Sequence, residues 1–320
     1  MKKLILSLAL VCAFSVPALA GAEDPRYIPY KQVSGVSGTL KSVGSDTLNN
    51  LMTLWAEDFK KIYPGVKIEI EGKGSSTAPP ALIQGSAQFG PMSRAMRPAE
   101  EDAFAAKYGY KPTIVRVAVD ALAVFVHKDN PITCLSLGQL DGIFSVTHNT
   151  GGADIKTWDQ LGLTSAEFKG KQISLYGRNS ASGTYSYFKE VALSNGDYKS
   201  TVKEQPGSSA VVQGIASEKF AIGYSGIGYK TADVKALKIA GRDGQCVEPS
   251  QTNAYSGKYP ITRFLYVYIN KNPSASLDPL RAEFLSYILS KSGQKDTVKD
   301  GYYPMPFVFA NEDKNKLGIK

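Results

Sequence analysis

TIVRVAVDALAVFVH, residues Thr113 to His127, is a long run of apolar and β-branched residues broken by one carboxylate, Asp120. Its composition favours a pleated, buried strand over a helix. A strand this long is suited to leaving one lobe and entering another. A matching return is expected near Tyr259–Arg263, after which Phe264–Lys320 rejoins the first lobe. The fold class that follows is α/β with two lobes: two parallel or mixed sheets, flanked by helices and joined by a two-strand hinge. The expected boundaries are 37–126 with 263–320 for lobe I and 127–262 for lobe II, with residues 21–36 as an N-terminal arm.

The flanking sequence alternates strand and helix. Gly38–Val43 reads as a short strand. Leu48, Leu51, Met52, Trp55, Phe59 and Ile62 then recur at helical spacing until Pro64-Gly65. Val66, Ile68 and Ile70 alternate as a strand, followed by a helix near Ala81–Gly85 and a strand at Phe89. Further helices are expected at Leu137–Phe144, Tyr185–Leu193, Val211–Ser217 and Leu280–Ser290. Further strands are expected at Gln172–Tyr176, Ala221–Tyr224 and Phe264–Asn270.

At the amino terminus, Lys2 and Lys3 precede an apolar run from Leu4 to Val16, and Ala18-Leu19-Ala20 supplies a small-x-small cleavage pattern. Residues 1–20 therefore read as a signal peptide, which places the mature chain in the periplasm or outside the cell. Removing Lys2 and Lys3 reduces the net charge of +8 to +6. Basic and acidic residues are interleaved, as in Glu57-Asp58-Phe59-Lys60-Lys61, which is a solvated face and not a nucleic-acid track. The mature chain keeps Cys134 and Cys246. In an oxidising compartment they are either a disulfide or two separate buried thiols.

Three polar segments place Gly and small hydroxyl residues just ahead of expected helices: Gly44-Ser45-Asp46-Thr47-Leu48, Gly74-Ser75-Ser76-Thr77 and Arg178-Asn179-Ser180-Ala181-Ser182-Gly183-Thr184. Helix starts expose free N–H groups and the positive end of the macrodipole, and hydroxyls add rotatable donors. Any one such segment also reads as ordinary N-capping. Arg94 and Arg178 lie in or beside this set, and a guanidinium can grip a tetrahedral oxyanion with two bonds. Asp120 needs a partner if buried. It is either the counter-ion of Arg94 or an acceptor for a protonated ligand oxygen, which phosphate carries at neutral pH and sulfate does not.

Taken together, GSDTLNNLMTLW (44–55), GSSTAPPAL (74–82), FGPMSR (89–94), VDALAVFVHKDNP (119–131), GRNSASGTYSYFKE (177–190), IGYSGIGYKT (222–231) and RFLYVYINK (263–271) resemble the periplasmic phosphate-binding proteins of Pst-type ABC transporters, within the type II periplasmic-binding-protein superfamily. The resemblance covers nearly the whole mature chain. It implies a periplasmic-binding-protein fold, inorganic phosphate as ligand, no cofactor, and the membrane permease subunits of a phosphate ABC importer as partners, with the binding protein itself a monomer. It also places ligand contacts at Thr47 and Leu48, at Ser75, and at Arg178, Ser182, Gly183 and Thr184. The chain departs from better-studied relatives where Ser93 and Arg94 stand in place of a phosphate-accepting Asp, so Ser93 and Arg94 are expected among the ligand contacts and the acceptor role is expected at Asp120. Ser180 replaces a frequent Asp, and Pro79-Pro80 removes donors from the second helix start.

An enzyme is not expected. The sequence contains two histidines, His127 and His148, neither in a recognisable motif. Gly223-Tyr224-Ser225-Gly226-Ile227 lacks the final Gly of a nucleophile elbow, and no G-x-x-x-x-G-K-[ST] is present. Another oxyanion ligand or a surface adhesion or signalling role are the remaining alternatives, with a phosphoester hydrolase last.

Overall fold

The protein is described as a computed structural model covering residues 23–241 and 243–319. The expected signal peptide, 1–20, lies outside the described residues. Lobe I begins with β1 (Gly38–Val43), α1 (Asn49–Ile62), β2 (Val66–Glu71), α2 (Ala78–Gln84), β3 (Phe89–Met92), α3 (Pro98–Tyr108) and β4 (Thr113–Ala121). The chain then crosses into lobe II. There β5 (Ala123–His127), β6 (Cys134–Ser136), α4 (Leu137–Phe144), β7 (Ser174–Arg178), α5 (Gly183–Ala192), β8 (Lys203–Gln205), α6 (Ser208–Ser217), β9 (Ala221–Ser225), β10 (Val234–Ala236), β11 (Lys238–Ala240), β12 (Cys246–Val247) and α7 (Gln251–Tyr255) follow in turn. It returns through β13 (Thr262–Ile269), α8 (Pro279–Ile288), α9 (Lys291–Lys299), β14 (Tyr303–Pro304) and α10 (Phe307–Leu317).

Two mixed sheets organise these elements. The lobe I sheet has the order β14-β4-β13-β3-β1-β2, and the main lobe II sheet β10-β5-β9-β7-β8. Pairing is parallel where helices intervene (β1 with β2 and β3, β7 with β8 and β9) and antiparallel where the crossing strands join, as crossover geometry requires.

The run that was expected to cross as one strand is two strands in two sheets. It breaks at Leu122, so the change of lobe comes earlier than the expected boundary after residue 126. The cause is local. The Leu122 N–H donates to Ile261 O at 3.0 Å and its carbonyl accepts the Tyr259 hydroxyl at 3.0 Å, so its backbone is committed to the second crossing and not to either sheet. Just beyond, Ala121 and Asp120 pair with Thr262 and Arg263. The two connections thus run side by side and form the hinge.

The core of lobe I packs Trp55 and Phe59 of α1 against Phe89 and Phe284, with Phe59 and Phe284 ring centroids 5.0 Å apart. Trp55 Nε1 donates to Gly293 O at 2.8 Å, which leaves its buried polar atom satisfied. In lobe II, Phe188 of α5 stacks on Tyr224 of β9 at 4.0 Å, and Phe144 packs edge-on to both. The arm is fixed to lobe I: Tyr27 donates to Met305 O and Tyr30 to Glu283. A small sheet β12-β11-β6 holds Cys134 and Cys246 in a disulfide with Cα atoms 6.1 Å apart.

Candidate functional site

The three hydroxyl-rich segments meet where the lobes face each other. The loop after β1 forms a tight turn, Asp46–Leu48, leading into α1, and the loop after β2 forms another, Ser75–Thr77, leading into α2. The third segment follows β7 and starts α5. Neither Ser45 nor Gly74 caps its turn through a side chain, whereas Ser182 is a true N-cap, its hydroxyl oxygen accepting from Thr184 N and Tyr185 N. Ser182 therefore has its hydroxyl proton left to donate.

Four hydroxyls converge across the cleft. Thr47 Oγ1 of lobe I shares a hydrogen bond of 2.8 Å with Thr184 Oγ1 of lobe II. Ser75 Oγ lies 3.2 Å from Ser93 Oγ and accepts from Ser93 N at 3.0 Å. Thr47 is 1% exposed, and Ser75, Ser93 and Thr184 are wholly buried. Glycine permits the approach: a Cβ on Gly183 would stand 2.4 Å from Ser75 Oγ and 2.7 Å from Ser93 Oγ. Gly74, at φ +112°, brings its loop against Ala181, whose carbonyl accepts from Ser76 N at 3.1 Å. Leu48 has its side chain in the lobe I core, so only its main chain is left for a ligand.

Asp120 is fully buried beside this cluster, and its partner is not Arg94. Arg263, next to it across β4 and β13, donates from Nε at 3.0 Å and Nη2 at 2.7 Å to Oδ2, while Ile227 N donates to Oδ1 at 2.9 Å. Arg263 also reaches Thr184 Oγ1 at 3.0 Å and Ser93 O at 2.8 Å. Arg94 instead makes two bonds of 2.7 Å to Glu100 at the start of α3. The reason is geometric. Arg263 faces Asp120 in strand register, whereas Arg94 follows the end of β3, six positions before a carboxylate in the first turn of α3. Arg263 is the residue that sequence reasoning passed over. It opens a quoted motif, RFLYVYINK, and its place opposite Asp120 depends on a β13–β4 register that no sequence pattern states.

Arg178, at the end of β7, is 1% exposed. Nη1 donates to Ser208 Oγ at 2.7 Å and lies 3.2 Å from Asp46 Oδ1, Nη2 donates to Pro206 O at 3.0 Å, and Nε is buried with no partner among the described residues. Burial pulls its pKa below the ordinary value. The Asp46 carboxylate resists that shift, and the charge of Arg263 adds to it. The site therefore holds two buried guanidiniums close enough to repel, each beside one carboxylate, within a shell of neutral donors. His127 and His148 lie elsewhere: Asp129 N donates to His127 Nδ1 at 3.2 Å, and His148 Nε2 stands 3.7 Å from Asp154 Oδ1.

The chain has known relatives in sequence and in fold. Residues 31–292 match the model of a PBP superfamily domain. The chain is 54% identical to the phosphate-binding protein PstS of Pseudomonas aeruginosa, over 100% of this chain and 99% of that one. Among solved structures, a Clostridium perfringens phosphate ABC transporter substrate-binding protein with bound phosphate is 26% identical and covers 84% of this chain and 100% of its own, with a TM-score of 0.71. A Vibrio cholerae ABC-type phosphate transport receptor, 24% identical over 83% of this chain and 100% of its own, shares the fold with a TM-score of 0.64. On the strength of the superfamily match and the full-length identity, the chain belongs to the PstS family of phosphate-binding proteins within the PBP superfamily.

Proposed function

We propose that the protein captures inorganic phosphate between its lobes in the periplasm and delivers it to the permease subunits of a phosphate ABC importer. The observation that carries this reading is the convergence of Thr47, Ser75, Ser93 and Thr184 from both lobes beside the buried Asp120–Arg263 pair. The hydroxyls of Thr47, Ser75, Ser93, Ser182 and Thr184, with the main-chain N–H groups of Leu48 and Gly183, supply donors that suit a tetrahedral oxyanion. Arg178 and Arg263 supply charge. Arg94, held by Glu100, acts by fixing the loop that carries Ser93.

Asp120 sets selectivity in this reading. An ionised carboxylate offers about four lone-pair positions. Arg263 takes two and Ile227 N one, which leaves one acceptor for the proton that phosphate retains and sulfate lacks. A lone pair facing a lone pair in a dry site costs about 1–3 kcal/mol or more. The chemistry is capture and not turnover: the hydroxyls bond to each other, and neither histidine makes a bond to them. An Asp120→Asn variant tests the assignment, because an amide can present either a donor or an acceptor. Its sulfate-to-phosphate affinity ratio should rise by at least about fivefold over wild type, the equivalent of one such mismatch relieved. An unchanged ratio would reduce Asp120 to the counter-ion of Arg263.

A further inference from the structure

Asp46 belongs to lobe I, yet its carboxylate is held by lobe II. We propose that Asp46 is a positioning residue that latches the closed lobes by capping a helix of the opposite lobe, and so governs how slowly the bound anion leaves. The helix is α6. Its N-cap is Gly207, which has no side chain with which to satisfy the first turn. The free N–H of Ser208 donates instead to Asp46 Oδ1 at 2.7 Å, from across the cleft. Arg178 Nη1 stands 3.2 Å from the same oxygen. A third lobe II group, the buried Tyr229 hydroxyl, donates to the Asp46 carbonyl at 2.9 Å.

A carboxylate at a helix N-terminus completes an unsatisfied donor and meets the positive end of the dipole. Here that match exists only between lobes. Glycine at 207 is part of the fit, since a Cβ there would lie 3.1 Å from Asp46 Oδ2, tighter than an ordinary contact. Its backbone, at φ −134° and ψ 159°, suits any residue, so the absence of a side chain serves the approach and not the turn. Bonds that form only after the lobes meet stabilise the closed state without helping the ligand arrive. Their loss should appear in release and not in capture. A simple counter-ion role for Asp46 makes the opposite forecast: without it Arg178 would pull harder on an anion, and release would slow.

The inference rests on phosphate being the cleft ligand, and the experiment separates the two. Capture and chase of radiolabelled phosphate would be followed by rapid filtration on the mature protein and on Asp46→Ala, Asp46→Asn and Gly207→Ala. Asp46→Ala should release phosphate about tenfold faster or more, the loss of one charge-assisted bond, with a capture rate near that of wild type. Asp46→Asn keeps an acceptor for Ser208 N and should fall between the two. Gly207→Ala crowds the carboxylate from lobe II, leaves the Arg178 charge untouched, and should also speed release. Release from Asp46→Ala and Gly207→Ala that is unchanged or slower, beside a wild type that retains phosphate, overturns the latch alone. A wild type that retains no phosphate overturns the phosphate reading itself.

Discussion

At the residue scale, the site divides its labour between charge and neutral donors. Arg178 and Arg263 each sit beside a carboxylate, Asp46 and Asp120, so the formal charges of these four groups cancel before any ligand is counted. Arg178 should nevertheless dominate among the proposed ligand contacts, because a hydrogen bond to a charged group is worth about 1.5–3 kcal/mol and a neutral one about 1. Arg178→Ala is expected to weaken phosphate binding by roughly 10- to 150-fold, and Ser75→Ala by roughly fivefold. Titration of both variants at one pH and ionic strength checks the ranking, and equal losses would count against it. The hydroxyls of Ser75 and Ser93 already bond to each other, which orders them in advance and limits what either loses on binding.

At the scale of elements, the helices show where sequence reading succeeds and where it stops. α1 was legible because Leu51, Met52, Trp55 and Phe59 are buried at helical spacing. α3 and α9 were not: Phe104 is the one buried apolar residue of α3, and α9 buries Gly293, Gln294, Asp296 and Thr297 but no large apolar side chain. Helices bound so lightly carry no apolar period to read. The hinge was legible as a pair of crossings, but the break at Leu122 depends on bonds to Tyr259 and Ile261 that are remote in sequence. The loops of the site were legible from their Gly and hydroxyl content, whereas the partner of Asp120 depended on strand register. The end of α9 carries a pH-sensitive group. Burial lifts Asp300 to about 7, against about 4 in an unfolded chain. A carboxyl raised on folding stabilises the fold fully below the unfolded value and loses that contribution as pH rises through the folded one. The contribution of Asp300 to stability should therefore fall between about pH 4 and pH 7. Asp300→Asn should flatten that slope in thermal unfolding followed across the range. A slope identical to wild type would show that Asp300 titrates normally.

For the whole molecule, the proposed function depends on two lobes meeting over the ligand, and at Gly183 they meet so closely that a side chain there would run into Ser75 and Ser93. Contacts supplied by both lobes favour the closed form when ligand is bound. Phosphate should lower the radius of gyration of the wild type in small-angle scattering. Gly183→Ala should abolish that change without loss of thermal stability, because alanine is well tolerated in a helix and the clash is with the other lobe. A wild type whose radius is the same with and without phosphate would remove the clamshell motion. The central claim is selective capture of phosphate, and calorimetric titration of the mature protein with phosphate and, separately, with sulfate tests it most directly. The account predicts saturable binding of one phosphate per protein, with sulfate giving no comparable heat at the same concentrations, pH and ionic strength. Equal affinity for the two anions, or no binding of phosphate, would contradict it.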